Sequence, residues 1–215
     1  PRGQALGPCG PAAGPRRVLA APDFWLCVAN FACLQAVGSG VFIANVGLMA
    51  GSLGVPRAQQ LPLVRATSYL NCAGRLVLGW LMDAGEARGV PRAAHAVWMA
   101  GAMLLLQLLL CGGGTTELRK GLPGTLAAVG FVYGGHWALM PSFMASRFGT
   151  ARIGLCFGLA VLVMACAVML VSYVAGSLYD AEAAEQALPA RPEAAARSGP
   201  HGCLGAGCWH RSYAL

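Results

Sequence analysis

Charge is scarce in this sequence, and that scarcity excludes the ordinary class of water-soluble proteins. Only 11% of the 215 residues are charged, 57% are hydrophobic, and the mean hydropathy is +0.60. Soluble domains carry about 25% charged residues. Charge is absent from the stretches 24–56, 93–116, 121–146 and 153–179, and each can hold the roughly 20 apolar residues of a membrane-crossing helix. The sequence predicts an integral, multi-pass membrane protein with the lipid bilayer as a partner.

Several functional patterns are also missing. There is no basic cluster with interleaved aromatic residues, so nucleic acid is not an expected partner. No Gly-rich phosphate loop, Ser-His-Asp order or pair of carboxylates indicates an enzyme, and no cofactor is expected. The chain begins with Pro and has no charged segment before a short apolar core. We therefore predict no signal peptide and interpret the sequence as a piece of a longer protein.

What is present divides into a linker, a set of apolar helices and a tail. Residues 1–21, rich in Pro, Gly, Ala and Arg, are predicted to be a flexible cytoplasmic linker. Residues 181–208 are predicted to be a non-cytoplasmic loop, with AEAAEQAL as a candidate short helix, and 209–215 to start a truncated sixth helix. Between them, five transmembrane helices are predicted at about 23–51, 62–84, 93–111, 122–146 and 151–178.

The Lys and Arg residues near the span ends predict the orientation. On one side lie six basic residues: Arg16, Arg17, Arg88, Arg92, Arg147 and Arg152. On the other side lie three: Arg57, Arg119 and Lys120. Because cytoplasmic loops carry the excess of Lys and Arg, the linker and the loops 84–92 and 147–152 are predicted to be cytoplasmic.

The second predicted helix carries a polar stripe that includes an arginine well inside the predicted membrane span. The stripe is spaced by three or four residues and consists of Arg65, Ser68, Asn71 or Cys72, Arg75, Gly79 and Asp83. Such spacing places side chains on one helix face, towards a water-filled cavity or a polar partner helix. Arg75 lies about 12 Å deeper than Asp83. An arginine at this depth contacts a substrate or ion, pairs structurally with a carboxylate or with backbone carbonyls, or snorkels to the interface.

The end of this stripe resembles a known loop signature. Gly79-Trp-Leu-Met-Asp83, followed by Arg88-Gly89 and Pro91-Arg92, is similar to the cytoplasmic loop signature of the major facilitator superfamily. In that signature a Gly precedes an acid by four residues, and Gly and basic residues follow. The resemblance implies that Gly79, Asp83, Arg88 and Arg92 form a cytoplasmic gate motif.

Further motifs resemble the plant nodulin-like, "nuclear fusion defective" transporters of that superfamily. They are PDFW at 22–25, NCAGR at 71–75, YGGHWALMPSFMASRFGTARIG at 133–154, VAGSLYDAEA at 174–183 and CLGAGC at 203–208. The resemblance covers about residues 22–215. It implies an all-α membrane bundle: the C-terminal six-helix half of a major facilitator fold, with its last helix truncated. The N-terminal six-helix half of the same protein would be its partner.

The resemblance implies secondary transport of a small-molecule substrate. Relatives that move monocarboxylates carry an arginine four residues before a glycine, as Arg75 and Gly79 do here. We therefore expect a transporter of a small organic anion such as a monocarboxylate. Two alternatives stay open: a neutral or metal-complexed substrate with Arg75 structural, or a membrane fragment that does not transport.

Several other residues are candidates for function. Asn45, Asn71, Tyr133 and His136 join Arg75 as candidates for the substrate path, and His136 could carry a coupling proton or be structural. Cys203 and Cys208 could form a disulfide. These cysteines could instead bind zinc together with His201 and His210. The spacing of the four residues is irregular for a zinc site, however, and no metal site is predicted.

Overall fold

The computed structural model describes residues 15–36, 41–187 and 203–209, and every regular element in these ranges is helical. A 3₁₀ turn, Thr150–Arg152, precedes the last long helix, and a helical turn covers 207–209. The prediction of an all-α fold is confirmed for these ranges. The helices are α1 (Pro15–Ala20), α2 (Pro22–Gln35), α3 (Val41–Ser52), α4 (Arg57–Ala87), α5 (Arg92–Gly112), α6 (Thr115–Phe148) and α7 (Ile153–Ala187).

Proline and glycine mark the helix boundaries. Pro22 occupies the first turn of α2, where its missing N–H breaks no helical hydrogen bond. Gly89 follows α4 with φ +88° and Gly149 follows α6 with φ +87°. Glycine adopts this left-handed region without the steric penalty of a β-carbon. These two residues therefore let the chain reverse into α5 and into the 3₁₀ turn before α7.

The chain passes alternately between two ends of the bundle. At one end, the ion-pair end, Asp23 of α2 pairs with Arg147 of α6, and Arg92 of α5 pairs with Glu86 of α4. At the other, the disulfide end, the loop 203–209 contacts α3, α6 and α7. Each long segment therefore runs antiparallel to the one before it in the chain. The segments, in order, are α2–α3, α4, α5, α6 and α7.

Helices α4 and α6 form the centre of the bundle and approach each other at glycines. A β-carbon built on Gly134 would lie 2.0 Å from the carbonyl oxygen of Asn71. A β-carbon on Gly74 would lie 2.0 Å from the carbonyl oxygen of Phe131. Both distances are far inside van der Waals contact, so only glycine permits this approach of the two backbones.

The outer faces of α5 and α7 are apolar and exposed. Val97 on α5 is 73% exposed, and Tyr173 on α7 is 76% exposed. By length and composition, two of the described helices could cross a membrane: α5, and the helical segment from Thr150 to Gln186. The other predicted spans are too short or too polar to meet the same length and composition requirement. Helix α4 carries the polar stripe, α6 carries glycines and His136, and α2 and α3 are short.

The helix boundaries differ from those predicted. The single span predicted at 23–51 is two helices, α2 and α3, and the Gly38-Ser39-Gly40 break lies outside the described residues. Helices α4 and α6 extend beyond their predicted ranges, 62–84 and 122–146, to 57–87 and 115–148. The prediction stopped near charges, but Arg, Lys and Glu are compatible with helix ends.

The predicted linker and loop are partly helical. Residues 15–20 of the predicted flexible linker form α1, whose Val18 is buried against α2. Residues 181–187 of the predicted loop continue α7, because their Ala, Glu and Gln residues favour helix. Three parts of the chain lie outside the described residues: residues 1–14 of the linker, residues 188–202 with His201, and residues 210–215 of the predicted sixth helix with His210.

Candidate functional site

Arg75 lies on an exposed face of α4, next to the face that packs on α6. The buried residues of α4 are Thr67, Gly74, Leu78 and Met82. One helical turn before Arg75, Asn71 accepts a hydrogen bond at Oδ1 from the Arg75 Nε, at 3.2 Å. This bond joins two residues of the polar stripe and does not use the terminal nitrogens of Arg75.

Two aromatic residues of α6 complete the surroundings of Arg75. The Arg75 Cζ lies 5.7 Å from the centre of the Trp137 ring, within range of a cation–π interaction. Tyr133, one turn earlier on α6, meets Trp137 edge to face with ring centres 6.3 Å apart. We call Arg75, Asn71, Tyr133 and Trp137 the Arg75 cluster. The sequence predicted three of its members and missed Trp137, which the four-residue spacing from Tyr133 could have indicated.

Arg75 has no carboxylate partner within the described ranges. The ion pairs found there belong to Arg92 and Arg147. A guanidinium has five N–H donors, and the hydrogen bond that the structure assigns to Arg75 uses one of them. The Arg75 cluster therefore offers a cation with unused donors on a surface that also contains an amide and two aromatic rings.

His136 directly precedes Trp137 in α6 and, like Trp137, packs against the Phe31 ring of α2. It is 2% exposed and is held between α6 and α2. Gln35 donates from Nε2 to His136 Nδ1 at 3.0 Å, and His136 Nε2 lies 3.3 Å from Asn30 Oδ1. With Gln35 as donor, Nδ1 accepts and Nε2 carries the proton that is donated to Asn30. These bonds join two helices, which is the structural role that the sequence left open for His136.

Asn45 is bonded within its own helix. Its Nδ2 donates to the carbonyl oxygen of Val41, at 2.8 Å, one turn earlier on α3. Of the five residues predicted to line a substrate path, the structure therefore brings Arg75, Asn71 and Tyr133 together. His136 and Asn45 have other surroundings.

Two residues of the predicted gate motif, Asp83 and Arg92, approach each other at the ion-pair end. Arg92 Nη2 lies 2.6 Å from Glu86 and 3.7 Å from Asp83, and Arg92 Nη1 donates to the Ser142 carbonyl oxygen at 2.8 Å. The Asp83 side chain is 74% exposed. The closer carboxylate is thus Glu86, a residue that the motif did not indicate.

The other two residues of the motif make local contacts. Arg88 Nη1 lies 3.4 Å from the Ala84 carbonyl oxygen of its own helix. Gly79 faces Ala138, and a β-carbon built on it would make an ordinary contact at 3.7 Å. Among the described ion pairs and side-chain hydrogen bonds, Arg92 is the motif residue that connects α5 to α4 and α6.

A cleft separates the two ion pairs of this end. Its volume is about 640 Å³, and it is lined by Asp23, Leu26, Cys27, Glu86, Pro91, Arg92, Ala93, Phe143, Ser146 and Arg147. Two carboxylates and two guanidiniums make the charge of this lining balanced. Arg147, which the sequence used only for orientation, joins the end of α6 to the start of α2 through Asp23.

A disulfide closes the loop at the opposite end. Cys203 and Cys208, the predicted pair, are bonded, with Cα atoms 5.9 Å apart. Gly205 N donates to the Ser52 carbonyl oxygen at 2.8 Å, Ala206 N to Thr115 Oγ1 at 3.1 Å, and Leu204 N to Gln186 Oε1 at 2.9 Å. The loop therefore connects the ends of α3, α6 and α7.

No protein-family model, curated protein or solved structure matches this chain. Within the described ranges, no group of three His, Cys, Asp or Glu side chains could hold a metal ion. The geometry of the Arg75 cluster and of the two bundle ends is therefore the basis on which a function is inferred.

Proposed function

We propose that this chain is the C-terminal half of a multi-pass secondary transporter of the major facilitator type, and that it binds a small organic anion through Arg75. The observation that carries the proposal is the position of Arg75. It is exposed on the polar face of a central helix, beside Trp137, and lacks a carboxylate partner in the described part of the chain.

The chemistry of the Arg75 cluster favours an anionic substrate. A guanidinium binds both oxygens of a carboxylate with two parallel hydrogen bonds, which a lysine cannot reproduce. An unpaired arginine that faced lipid would cost several kcal/mol or more, so its position in a membrane helix needs a polar partner. The substrate is proposed as that partner, with Asn71 and Tyr133 as further polar contacts.

A membrane location is supported by the surface of the bundle. The outer faces of α5 and α7 expose large apolar side chains that a soluble protein would bury: Val97, Leu104, Leu105, Leu108, Leu109, Leu162, Met169, Leu170 and Tyr173. Exposed apolar patches of this kind indicate a membrane or a protein partner. We propose lipid as the partner of α5 and α7.

The exposed stripe of α4 needs a different partner. It carries Arg65, Ser68 and Arg75, which are exposed and polar. We propose that the N-terminal six-helix half of the same protein covers this stripe and encloses the substrate between the two halves. Rocking of the halves about a midplane site would then expose the Arg75 cluster to each side of the membrane in turn.

The experiment that tests this proposal is substrate uptake into vesicles by the full-length protein. Radiolabelled monocarboxylates are the probe, and Arg75→Lys and Arg75→Gln are compared with the native protein at equal membrane levels. We expect both variants to lose at least 90% of uptake, since charge alone does not replace a bidentate contact. Arg16→Gln, an exposed arginine of α1, is the matched control and should transport normally.

The outcomes separate the alternatives. Normal carboxylate uptake by Arg75→Gln would refute the anion contact. Uptake of neutral or metal-complexed substrates that survives Arg75→Gln would support a structural role for Arg75. A full-length protein that transports no substrate of either class would refute the transporter proposal.

A further inference from the structure

A second cleft lies at the disulfide end, between the first turns of α4 and α6. Its volume is about 370 Å³, and its lining is largely apolar. Gln59 and Arg119 are the polar side chains among the lining residues, which are Val55, Gln59, Pro62, Leu63, Ala66, Arg119, Leu122 and Pro123. The cleft is therefore amphipathic, with an amide and a cation beside an apolar groove.

Two prolines shape this cleft. Pro62 lies inside α4 and Pro123 lies inside α6, each in the early part of its helix. A proline has no N–H, so neither can donate to the carbonyl oxygen four residues earlier, that of Ala58 or of Arg119 itself. Both prolines are among the residues that line the cleft.

Arg119 has no ion-pair partner in the described part of the chain. No hydrogen bond or ion pair within ranges 15–36, 41–187 and 203–209 involves the side chain of Arg119 or of Gln59. Arg57 and Lys120, both exposed, lie in the same helix starts, and Glu117 is the acid beside them. The local charge is therefore positive, and the cleft is complementary to an anion.

We propose that this cleft binds an anionic phospholipid, with its phosphate on Arg119 and part of an acyl chain between Leu63 and Leu122. The inference rests on the membrane location in the proposed function, but not on transport or on Arg75. Arginine binds phosphate oxygens with a fork of donors. Leu61 and Val64, exposed on α4, extend the apolar surface beside the groove.

Native mass spectrometry of the purified full-length protein in detergent tests the proposal. Dioleoyl phosphatidylglycerol is the anionic probe and dioleoyl phosphatidylcholine the zwitterionic comparison. We expect phosphatidylglycerol to bind more tightly, and Arg119→Gln to weaken its binding about tenfold, which is the effect of losing a charge-assisted hydrogen bond. Ala66→Trp fills the groove, keeps every charge, and should weaken binding as well.

The matched control is Lys120→Gln, which removes the same charge from a neighbouring residue that does not line the cleft. It should change binding by less than about twofold, as expected for an exposed, screened charge. Equal losses in Arg119→Gln and Lys120→Gln would show diffuse attraction and refute the cleft. Unchanged binding in Ala66→Trp, with normal thermal stability, would refute it too.

Soluble phosphate is distinguished by competition. Inorganic phosphate or glycerol 3-phosphate at a tenfold excess over the lipid should not displace phosphatidylglycerol, because neither fills the apolar groove. Displacement would show a site for free phosphate and overturn the lipid assignment. Absence of lipid binding together with normal, Arg75-dependent uptake would refute this inference and leave the proposed function standing.

Discussion

Arg75 keeps its charge accessible because two neighbours support the side chain without neutralising it. Asn71 accepts from Nε, and the Trp137 ring lies under the guanidinium. Neither contact uses the terminal nitrogens, which are the atoms that bind both oxygens of a carboxylate. The side chain is thereby ordered in advance, and ordering a long side chain before binding lowers the entropic cost of the contact.

At the same scale, Gly134 has no room for a side chain. We expect Gly134→Ala to destabilise the protein by about 1–3 kcal/mol, because the new β-carbon would meet the Asn71 carbonyl oxygen and force the helices apart. Thermal unfolding in detergent measures the change. Gly101→Ala on α5 is the control, since nothing lies within 4 Å of its built β-carbon. Equal destabilisation by both substitutions would contradict the close approach.

Residue spacing could predict which side chains share one helix face, and little beyond it. The three- and four-residue steps placed Arg75 and Asn71 together correctly. They could not predict that Trp137 of α6 would lie beside Arg75, since periodicity gives no information about the neighbouring helix. The partner Glu86 was also missed, because the motif contains Asp83 as its acid. The turn through Gly89 brings Arg92 closer to Glu86 than to Asp83.

Among the elements, α4 and α6 behave as one unit. The glycines bring their backbones together over several turns, from Gly130 at Thr67 to Gly135 at Leu78. Sliding or separation of the pair would break these contacts in succession. We therefore expect Arg75 on α4 and Trp137 on α6 to keep their relative position while other helices move.

The connection between α4 and α5 offers a test at this scale. Glu86→Gln should lower stability by up to about 1 kcal/mol, the usual range for a partly exposed ion pair, and Asp83→Asn by less. Thermal unfolding of the two single variants measures the difference. In Arg92→Gln, which removes the cation from both pairs, the further change Glu86→Gln should have no additional effect. A larger loss in Asp83→Asn would favour the motif-based prediction over the observed geometry.

Helix existence was more predictable than helix extent. Helix α4 contains Arg65, Arg75 and Asp83 and was indicated by the three- and four-residue spacing of its polar stripe. The charge-free stretches located α3, α5, α6 and α7, because a run of apolar residues without charge favours a continuous hydrogen-bonded segment in lipid. They could not locate helix ends, since charged residues continue a helix where water is available. The extension of α7 to Ala187 is an example.

In the whole molecule, the disulfide loop joins helices that are far apart in the chain. The loop contacts Ser52, Thr115 and Gln186, and the Trp209 indole donates to Ser52 Oγ at 3.0 Å. The sequence predicted the cysteine pair, but not this docking. Hydrogen bonds between backbone N–H groups and distant side chains carry no signal in the local sequence.

Loss of the disulfide should therefore loosen the bundle at this end. We expect Cys203→Ser with Cys208→Ser to lower stability by about 2 kcal/mol, the scale for a short closed loop. A reductant should lower the melting temperature of the native protein similarly and leave that of the double variant unchanged. Cys72→Ser, which removes an exposed free thiol, is the control. If the reductant leaves the melting temperature of the native protein unchanged, this prediction is contradicted.

The disulfide also has a consequence for the compartments on the two sides of the bundle. Disulfides persist in secretory compartments and outside the cell, while cytosolic thiols are kept reduced by glutathione and thioredoxin. The end with Ser52 and Thr115 is therefore expected in the lumen or outside the cell, and the end with Asp23 and Arg147 in the cytosol. The count of basic residues gives the same sidedness without using any cysteine. Redox chemistry and loop charge are independent, and both agree with the membrane orientation that the sequence predicts.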